Sequence, residues 1–239
     1  MRGRVELSPS TWRQPLPVAL HPKRLSVLRY VADRIQTLGS RRLRVGVDGR
    51  TAAGKTTLGH ELAMLLAEHG RVVFRASLDD FKRPWAEAHL YDRMSGEGYY
   101  RNAFDLASIR SLLLEPADPD GSGLLALCSI DPITQINQSH SRVTMPADGV
   151  LIVDGVFVLR PDLSRYWDLS VWVDIDPGLS VRRGIDRDGP REGAVAAERL
   201  HRHRYGTGET IYIAEVDPVS VADVVIDNTD FDDPRIVPS

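Results

Sequence analysis

Apolar positions along the chain switch between two spacings. From His21 to Leu38, Leu25, Leu28, Val31, Ala32, Ile35 and Leu38 recur every three or four residues and stop at Gly39, which predicts a helix. Leu43-Arg44-Val45-Gly46-Val47-Asp48 is a short apolar run with strand character, and Thr57 to His69 returns to helical spacing through Leu58, Leu62, Leu65 and Leu66. Arg71 to Leu78 predicts a second strand that ends at Asp79-Asp80. Phe81 to Asn102 is polar, aromatic and glycine-bearing without a sustained period, so it reads as a functional loop with one short helix. Leu106 to Leu114 is helical again, and P-A-D-P-D-G-S-G from Pro116 to Gly123 is a turn-rich break.

Four more strands are expected, at Leu124 to Ile130, Val150 to Asp154, Leu169 to Ile175 and Asp223 to Ile226. The runs V-L-I-V-D, S-V-W-V-D-I and D-V-V-I-D are apolar on both faces, as strands covered by helices on each side must be. Strands interleaved with helices imply an α/β fold with a doubly wound, mainly parallel sheet. Ligands then bind beyond the carboxyl ends of the strands. Asp79, Asp80, Asp131, Asp154, Asp174 and Asp176 all fall at or just past such ends. Residues 1–20 read as an irregular arm, with three prolines in the first seventeen, and 21–239 as a single domain with a small lid at about 182–205.

Composition narrows the class. At 239 residues the chain can bury a full core, and a net charge of −3 gives no global case for nucleic acid as partner. The single cysteine, Cys128, excludes an intramolecular disulfide and a cysteine metal cluster, and its apolar neighbours make it a small buried hydrophobe. No apolar stretch approaches the roughly 18 residues of a membrane span, and residues 1–17 lack an apolar signal core, so a cytoplasmic protein without a membrane partner is expected. A homo-oligomeric state is left open.

Gly49 to Thr56 reads G-R-T-A-A-G-K-T, a complete G-x-x-x-x-G-K-[ST] loop between a strand and a helix. In that setting backbone N–H groups curl round a phosphate, and the helix N-terminus adds partial positive charge. The loop residues Gly49, Ala52, Ala53, Gly54, Lys55, Thr56 and Thr57 therefore predict a nucleoside triphosphate site. Lys55 would reach the phosphates and Thr56 would ligate Mg²⁺. Val150 to Gly155 is an apolar strand ending in Asp154, which suits Mg²⁺ opposite Thr56, although a strand-end Asp can simply cap a turn. A transfer to a hydroxyl also needs a carboxylate to take its proton. Asp79 is the expected base, with Asp80 held in reserve. Four arginines in ten residues, among them Arg183, Arg187 and Arg191, read either as a phosphate-reaching lid or as a solvated helical face. Arg199 to Tyr205 reads as surface helix.

In this order the segments G-R-T-A-A-G-K-T, S-L-D-D-F-K-R-P, N-A-F-D, V-L-I-V-D-G-V-F, and R-R-G-I-D-R-D with A-D-V-V-I-D-N resemble the uridine kinase and phosphoribulokinase family of P-loop kinases. The likeness covers about Arg44 to Asp230. It implies a P-loop kinase fold, ATP with Mg²⁺, Asp79 as catalytic base and a nucleoside-like small molecule as acceptor. It also places Asn228 on the adenine side and an acceptor pocket near Asp80, Phe81, Tyr99, Tyr100, Arg101 and Asp131. Tyr99 and Tyr100 packing the loop, with Arg101 in solvent, is the equal alternative.

The chain departs from the family at several points. It has Asp80 and Lys82 where uridine kinases usually have Ser and Tyr, and Tyr100-Arg101-Asn102 where they have His-Pro-Asp. Asp154 replaces a Glu, and Gly189-Pro190-Arg191-Glu192-Gly193 replaces Glu-Arg-Gly-Arg. Uridine as the substrate does not follow, and kinases of pantothenate or of a sugar phosphate share the same core. A guanine-nucleotide switch is disfavoured, because the chain has no Asn-Lys-x-Asp segment. An ATPase coupled to a partner protein would have no use for the Asp79–Asp105 loop.

Overall fold

The computed structural model describes residues 3–14, 16–17, 19, 21–87 and 90–238; the rest of the arm expected over 1–20 lies outside the described residues. Its centre is a seven-stranded sheet ordered β1-β3-β6-β2-β7-β8-β9. The strands are β1 (Arg4–Leu7), β2 (Leu43–Gly49), β3 (Val72–Ser77), β6 (Val150–Asp154), β7 (Leu169–Asp174), β8 (Val224–Asp227) and β9 (Arg235–Val237), while β4 (Leu124–Leu125) and β5 (Val143–Thr144) form a separate hairpin ladder. Every pairing in the main sheet is parallel except β8 with β9. This is the expected α/β class.

Helices cover both faces. They are α1 (Pro22–Thr37), α2 (Lys55–Glu68), α3 (Gly96–Asn102), α4 (Leu106–Ser108, continued with π geometry over Ile109–Leu114), α5 (Pro161–Ser164), α6 (Pro177–Glu192), α7 (Ala194–Arg199, continued with π geometry over Leu200–Tyr205), α8 (Gly206–Val216) and α9 (Pro218–Val221). The two-residue period of a strand sends alternate side chains to opposite faces. Val45, Val47, Val171 and Val173 thus join α1 and α2 in one core, whereas Leu151, Val153 and Trp172 join Tyr99, Tyr100 and Tyr212 in the other. Doubly apolar strands are the consequence, and they made the sheet legible.

Two expectations are corrected. Arg4–Leu7, read as irregular, is an edge strand in parallel register with β3, Arg4 opposite Val72 and Leu7 opposite Arg75. Four residues are too few to display a period, but they satisfy the open N–H and C=O groups of β3. Leu124 to Ile130, read as a sheet strand, pairs outside the main sheet, as a strand at Leu124–Leu125 and as a single bridge from Ile130 to Asn137. The remainder threads under the turn after β3, where Ser129 and Ile130 donate backbone N–H bonds to the Asp80 carbonyl at 2.9 and 3.2 Å. Burial explains its apolar composition without strand pairing. Cys128 is buried there as expected, and burial pushes its thiol pKa up.

One buried ion pair fastens α1 to α2. The Arg24 guanidinium gives Glu61 three hydrogen bonds of 2.6 to 3.0 Å and donates a fourth to Asn228 Oδ1 at 3.1 Å. Both side chains are almost fully buried. Removing one partner would strand the other charge out of water. Glu61→Ala is therefore expected to lower unfolding free energy by about 3–5 kcal/mol, read as a drop in the urea midpoint.

Candidate active site

The phosphate loop is shaped by what surrounds it. A Cβ on Gly49 (φ +151°) would lie 2.4 Å from the Val173 carbonyl oxygen, and one on Gly54 (φ +92°) would lie 2.6 Å from Asn228 Nδ2. Only glycine fits either position. Ala52 takes φ +57°, and the Ala53 N–H closes the turn on the Arg50 carbonyl at 3.1 Å. Thr57 lies in the first turn of α2. The Lys55 ammonium donates to the carbonyls of Gly49 (3.0 Å) and Arg50 (2.7 Å). Burial lowers its pKa, against the opposing pull of Glu209, Asp48, Asp154 and Asp79.

Asp48, at the root of this loop, was not singled out by the sequence. Its fully buried carboxylate accepts from the N–H groups of Gly49 (2.7 Å), Phe157 (3.1 Å) and Leu159 (2.8 Å) and from the Tyr212 hydroxyl (2.5 Å). Burial outweighs these donors and raises its pKa to about 6.

Asp154 ends β6 with each oxygen assigned. Oδ2 accepts from the Thr56 hydroxyl at 2.6 Å, and Oδ1 takes a 2.5 Å bond from Arg75, a buried residue of β3. Arg75 also donates to the Ile152 carbonyl at 2.6 Å, which fixes the plane of the pair. A hydroxyl and a carboxylate converging at a helix N-terminus are hard oxygen donors of the kind Mg²⁺ accepts. Among the described residues no group of three or more His, Cys, Asp or Glu could hold a metal ion.

The adjacent acids after β3 face different surroundings. Asp79 lines the main cleft and pairs with Lys82 at 2.7 Å. Burial pushes its carboxyl up, but Lys82, then Lys55 and Arg187, more than reverse that, so its pKa lies below the usual carboxylate range. Asp80 turns away, buried beneath the Ser8 and Ser10 hydroxyls. Its Oδ1 has no hydrogen-bond partner among the described residues, and burial raises its pKa to about 7.

The cleft encloses 510 Å³ between three walls. The loop wall carries Thr51, Ala52, Gly54, Lys55 and Thr56, with Asp154 beside them. The second wall is one face of α6, from Arg183 through Arg187 to Arg191. Arg183 donates to the carbonyls of Asn228 (3.2 Å) and Thr229 (2.8 Å), and Arg187 holds Asp188 with two 2.9 Å bonds. Asp188 also accepts from His201 at 2.8 Å. Gly184 makes room for that ring, since a Cβ there would sit 2.1 Å from it. His201, read as part of a surface helix, is buried for this reason. The third wall is aromatic and mixed: Trp12, Gln14, Lys82, Trp85, Tyr99 and Ile133.

Several residues expected at the acceptor side are elsewhere. Phe81 and Tyr100 are buried in the core, and the Tyr100 ring packs edge-on against Phe157 and tilted against Tyr212. Arg101 is bound outside the cleft by Glu97 (3.2 Å) and Glu215 (2.5 Å). Asp131 accepts from the Thr11 N–H (2.6 Å) and hydroxyl (2.9 Å) and from the N–H groups of Ile133 and Thr134 (both 2.9 Å). It anchors the arm. Asn228 spends its amide on the Ala53 carbonyl at 2.7 Å, tying β8 to the loop. In their place stand Trp12, Trp85 and Ile133, for which sequence spacing offered no signal.

The Asp80 environment has a measurable consequence. Its folded pKa lies above the unfolded value of 3.8, so its contribution to stability is complete below that value and is lost as pH rises through 7. Asp80→Asn is expected to raise the melting temperature more at about pH 8 than at about pH 5, checked by calorimetry at both.

No family model matches the chain. Among curated proteins it is similar to the uridine kinase of Lactobacillus helveticus (strain DPC 4571), at 24% identity over 184 residues, 76% of this chain and 84% of that protein. It is also similar to the uridine kinase of Leuconostoc citreum (strain KM20), at 23% identity over 186 residues, with the same shares covered. Among solved structures, a possible uridine kinase from Bacillus stearothermophilus superposes with a TM-score of 0.63 at 23% identity, covering 84% of this chain and 98% of that one. A candidate fructose transport system kinase from Silicibacter sp. TM1040 follows with a TM-score of 0.58 at 19% identity, covering 79% and 93%. With its phosphate loop, strand-end carboxylate and arginine-bearing lid in one cleft, the chain has the fold of the uridine kinase-like P-loop kinases and is similar to uridine kinases over three quarters of its length.

Proposed function

We propose that the protein is an ATP- and Mg²⁺-dependent kinase that transfers the γ-phosphate to a hydroxyl of a nucleoside-like small molecule. The observation that carries this reading is Asp79, which shares one cleft with Lys55, Thr56, Asp154 and the lid arginines and stays ionised there. An ATPase can also orient water with a carboxylate, so the choice of a small-molecule acceptor rests on the aromatic side of the same cleft, where Trp12 and Trp85 stand with Asp79. Residues 21–239 are read as one domain with its lid at about 182–205, working in the cytoplasm; among the described residues no helix is long and apolar enough to cross a membrane.

Loop amides and Lys55 bind the β- and γ-phosphates, and Thr56 with Asp154 Oδ2 would hold Mg²⁺, which when bound neutralises phosphate charge. The acceptor hydroxyl gives its proton to Asp79 as its oxygen attacks the γ-phosphorus, and the bond to the ADP leaving oxygen breaks. Arg187 and Arg191, on the lid wall, steady the equatorial oxygens, where planar bidentate donors act best. Lys82 keeps Asp79 ionised and orients it.

An uncharged acceptor fits the far end better than a phosphorylated one. Arg101 is engaged outside the cleft and Lys82 is engaged by Asp79, so neither is free for an acceptor phosphate, whereas Trp12 and Trp85 offer ring faces. A planar ring gains by stacking on such faces.

Two experiments test this. ADP release from Mg·ATP is measured against nucleosides, nucleotides, pantothenate and sugar phosphates, with Asp79→Asn run alongside. Nucleoside-dependent release that the variant lowers by about 10²–10⁴-fold is expected; release indifferent to every acceptor and to Asp79 would refute the kinase reading. In the second, Lys82→Met removes the largest depressing influence on Asp79. The acidic limb of kcat against pH should then move to higher pH, and an unmoved limb would free Asp79 of the base role.

A further inference from the structure

The described part of the N-terminal arm reaches the cleft, which Trp12 and Gln14 line, on a path fixed by hydrogen bonds. After β1, the Ser8 N–H donates to the Arg75 carbonyl at 3.1 Å. The Ser10 hydroxyl accepts from the Trp12 N–H at 3.1 Å, and the Ser10 carbonyl accepts from Arg13 Nε at 2.7 Å. Thr11 is held by both oxygens of Asp131. The backbone on either side of Trp12 is thus held in place.

That ring meets the lid. The Arg191 guanidinium carbon lies 4.7 Å from the Trp12 ring centroid, and both residues line the cleft. Arg191 is in the last turn of α6, and its carboxylate contacts are Glu192 at 2.7 Å and Asp188 at 3.8 Å. Arg183 bonds to the carbonyls of Asn228 and Thr229 just after β8 and Arg187 to Asp188 of its own helix, whereas Arg191 reaches the Trp12 ring. Stacking occupies the flat face of a guanidinium and leaves its in-plane N–H donors available to an anion. A tryptophan face can therefore aim an arginine without consuming its hydrogen bonds.

We infer that Trp12 is a positioning residue of the transfer reaction: its ring holds Arg191 across the cleft, so that arm and lid close together over the bound substrates. The inference rests on the kinase reading for its catalytic consequence, but the contact also slows the escape of a nucleotide lying behind it. The arm thereby becomes part of the active site.

The test compares Trp12→Ala, Trp12→Phe, Arg191→Lys and the Trp12→Ala/Arg191→Lys double variant in the full chain. Two readouts are taken: kcat and KM with the best acceptor of the panel, and the release rate of a fluorescent, N-methylanthraniloyl-labelled ATP. Trp12→Ala and Arg191→Lys should each lower kcat/KM and speed nucleotide release by about two- to fivefold, the span of a cation–π contact at an exposed site. Trp12→Phe should keep most of both. The double variant should be no worse than either single variant, because the two changes remove one interaction. Effects that add, or a Trp12→Ala variant with unchanged kinetics and release, would overturn the inference. If the unaltered chain transfers phosphate to no acceptor, the kinase reading fails by itself. Release of the labelled ATP then decides: non-additive acceleration upholds the arm–lid contact, and additive or absent acceleration removes it.

Discussion

A carboxylate buried at the root of the phosphate loop organises this molecule. Asp48 gathers the N–H groups of Gly49, Phe157 and Leu159 and the hydroxyl of Tyr212. It thereby joins the end of β2, the segment after β6 and helix α8 at one point. Four donors do not fully offset the desolvation of the charge, which is why its pKa is raised rather than lowered. Its return is positional: the loop that must face phosphate is anchored from behind by a group the core cannot release.

Around that anchor the cleft is assembled by pairs that each fix one part. Arg75 takes one oxygen of Asp154 and leaves the other to Thr56. Asn228 ties β8 to the loop, and the Arg24–Glu61 pair supports Asn228 in turn. Asp188, between Arg187 and His201, sets the lid, and Gly184 leaves space for the histidine ring. None of these groups need touch a substrate. They restrict the rotamers of those that do, and a site holds its geometry only through such support.

Much of the candidate site was legible because its chemistry is local in sequence. Gly49 to Thr56 must be contiguous to wrap one phosphate, and Asp79 and Asp154 sit at strand ends, where covered parallel strands deliver their ligand-facing residues. The acceptor wall was not legible. Tyr100, Arg101 and Asp131 were placed there only through the resemblance, with Tyr100 packing the loop as an equal alternative, and the core, two glutamates and the arm respectively take them. Trp12 entered from a stretch with no period, and His201 went inside because Asp188, thirteen residues earlier, lies within reach of its ring.

The sequence by itself determined the α/β class, the phosphate loop and most of the central strands, since periodicity and contiguous turns are properties of neighbouring residues, whereas the order of those strands in the sheet came only from the fold. Only the tertiary structure decided which charges are spent on one another and which remain for chemistry. Arg24 meets Glu61 and Asn228, Arg75 meets Asp154, Thr11 meets Asp131, and Trp12 meets Arg191, in each case across a separation no local pattern encodes. Ion pairs and ring faces depend on distances of a few ångströms, and for residues far apart in the chain those distances exist only once the fold has formed.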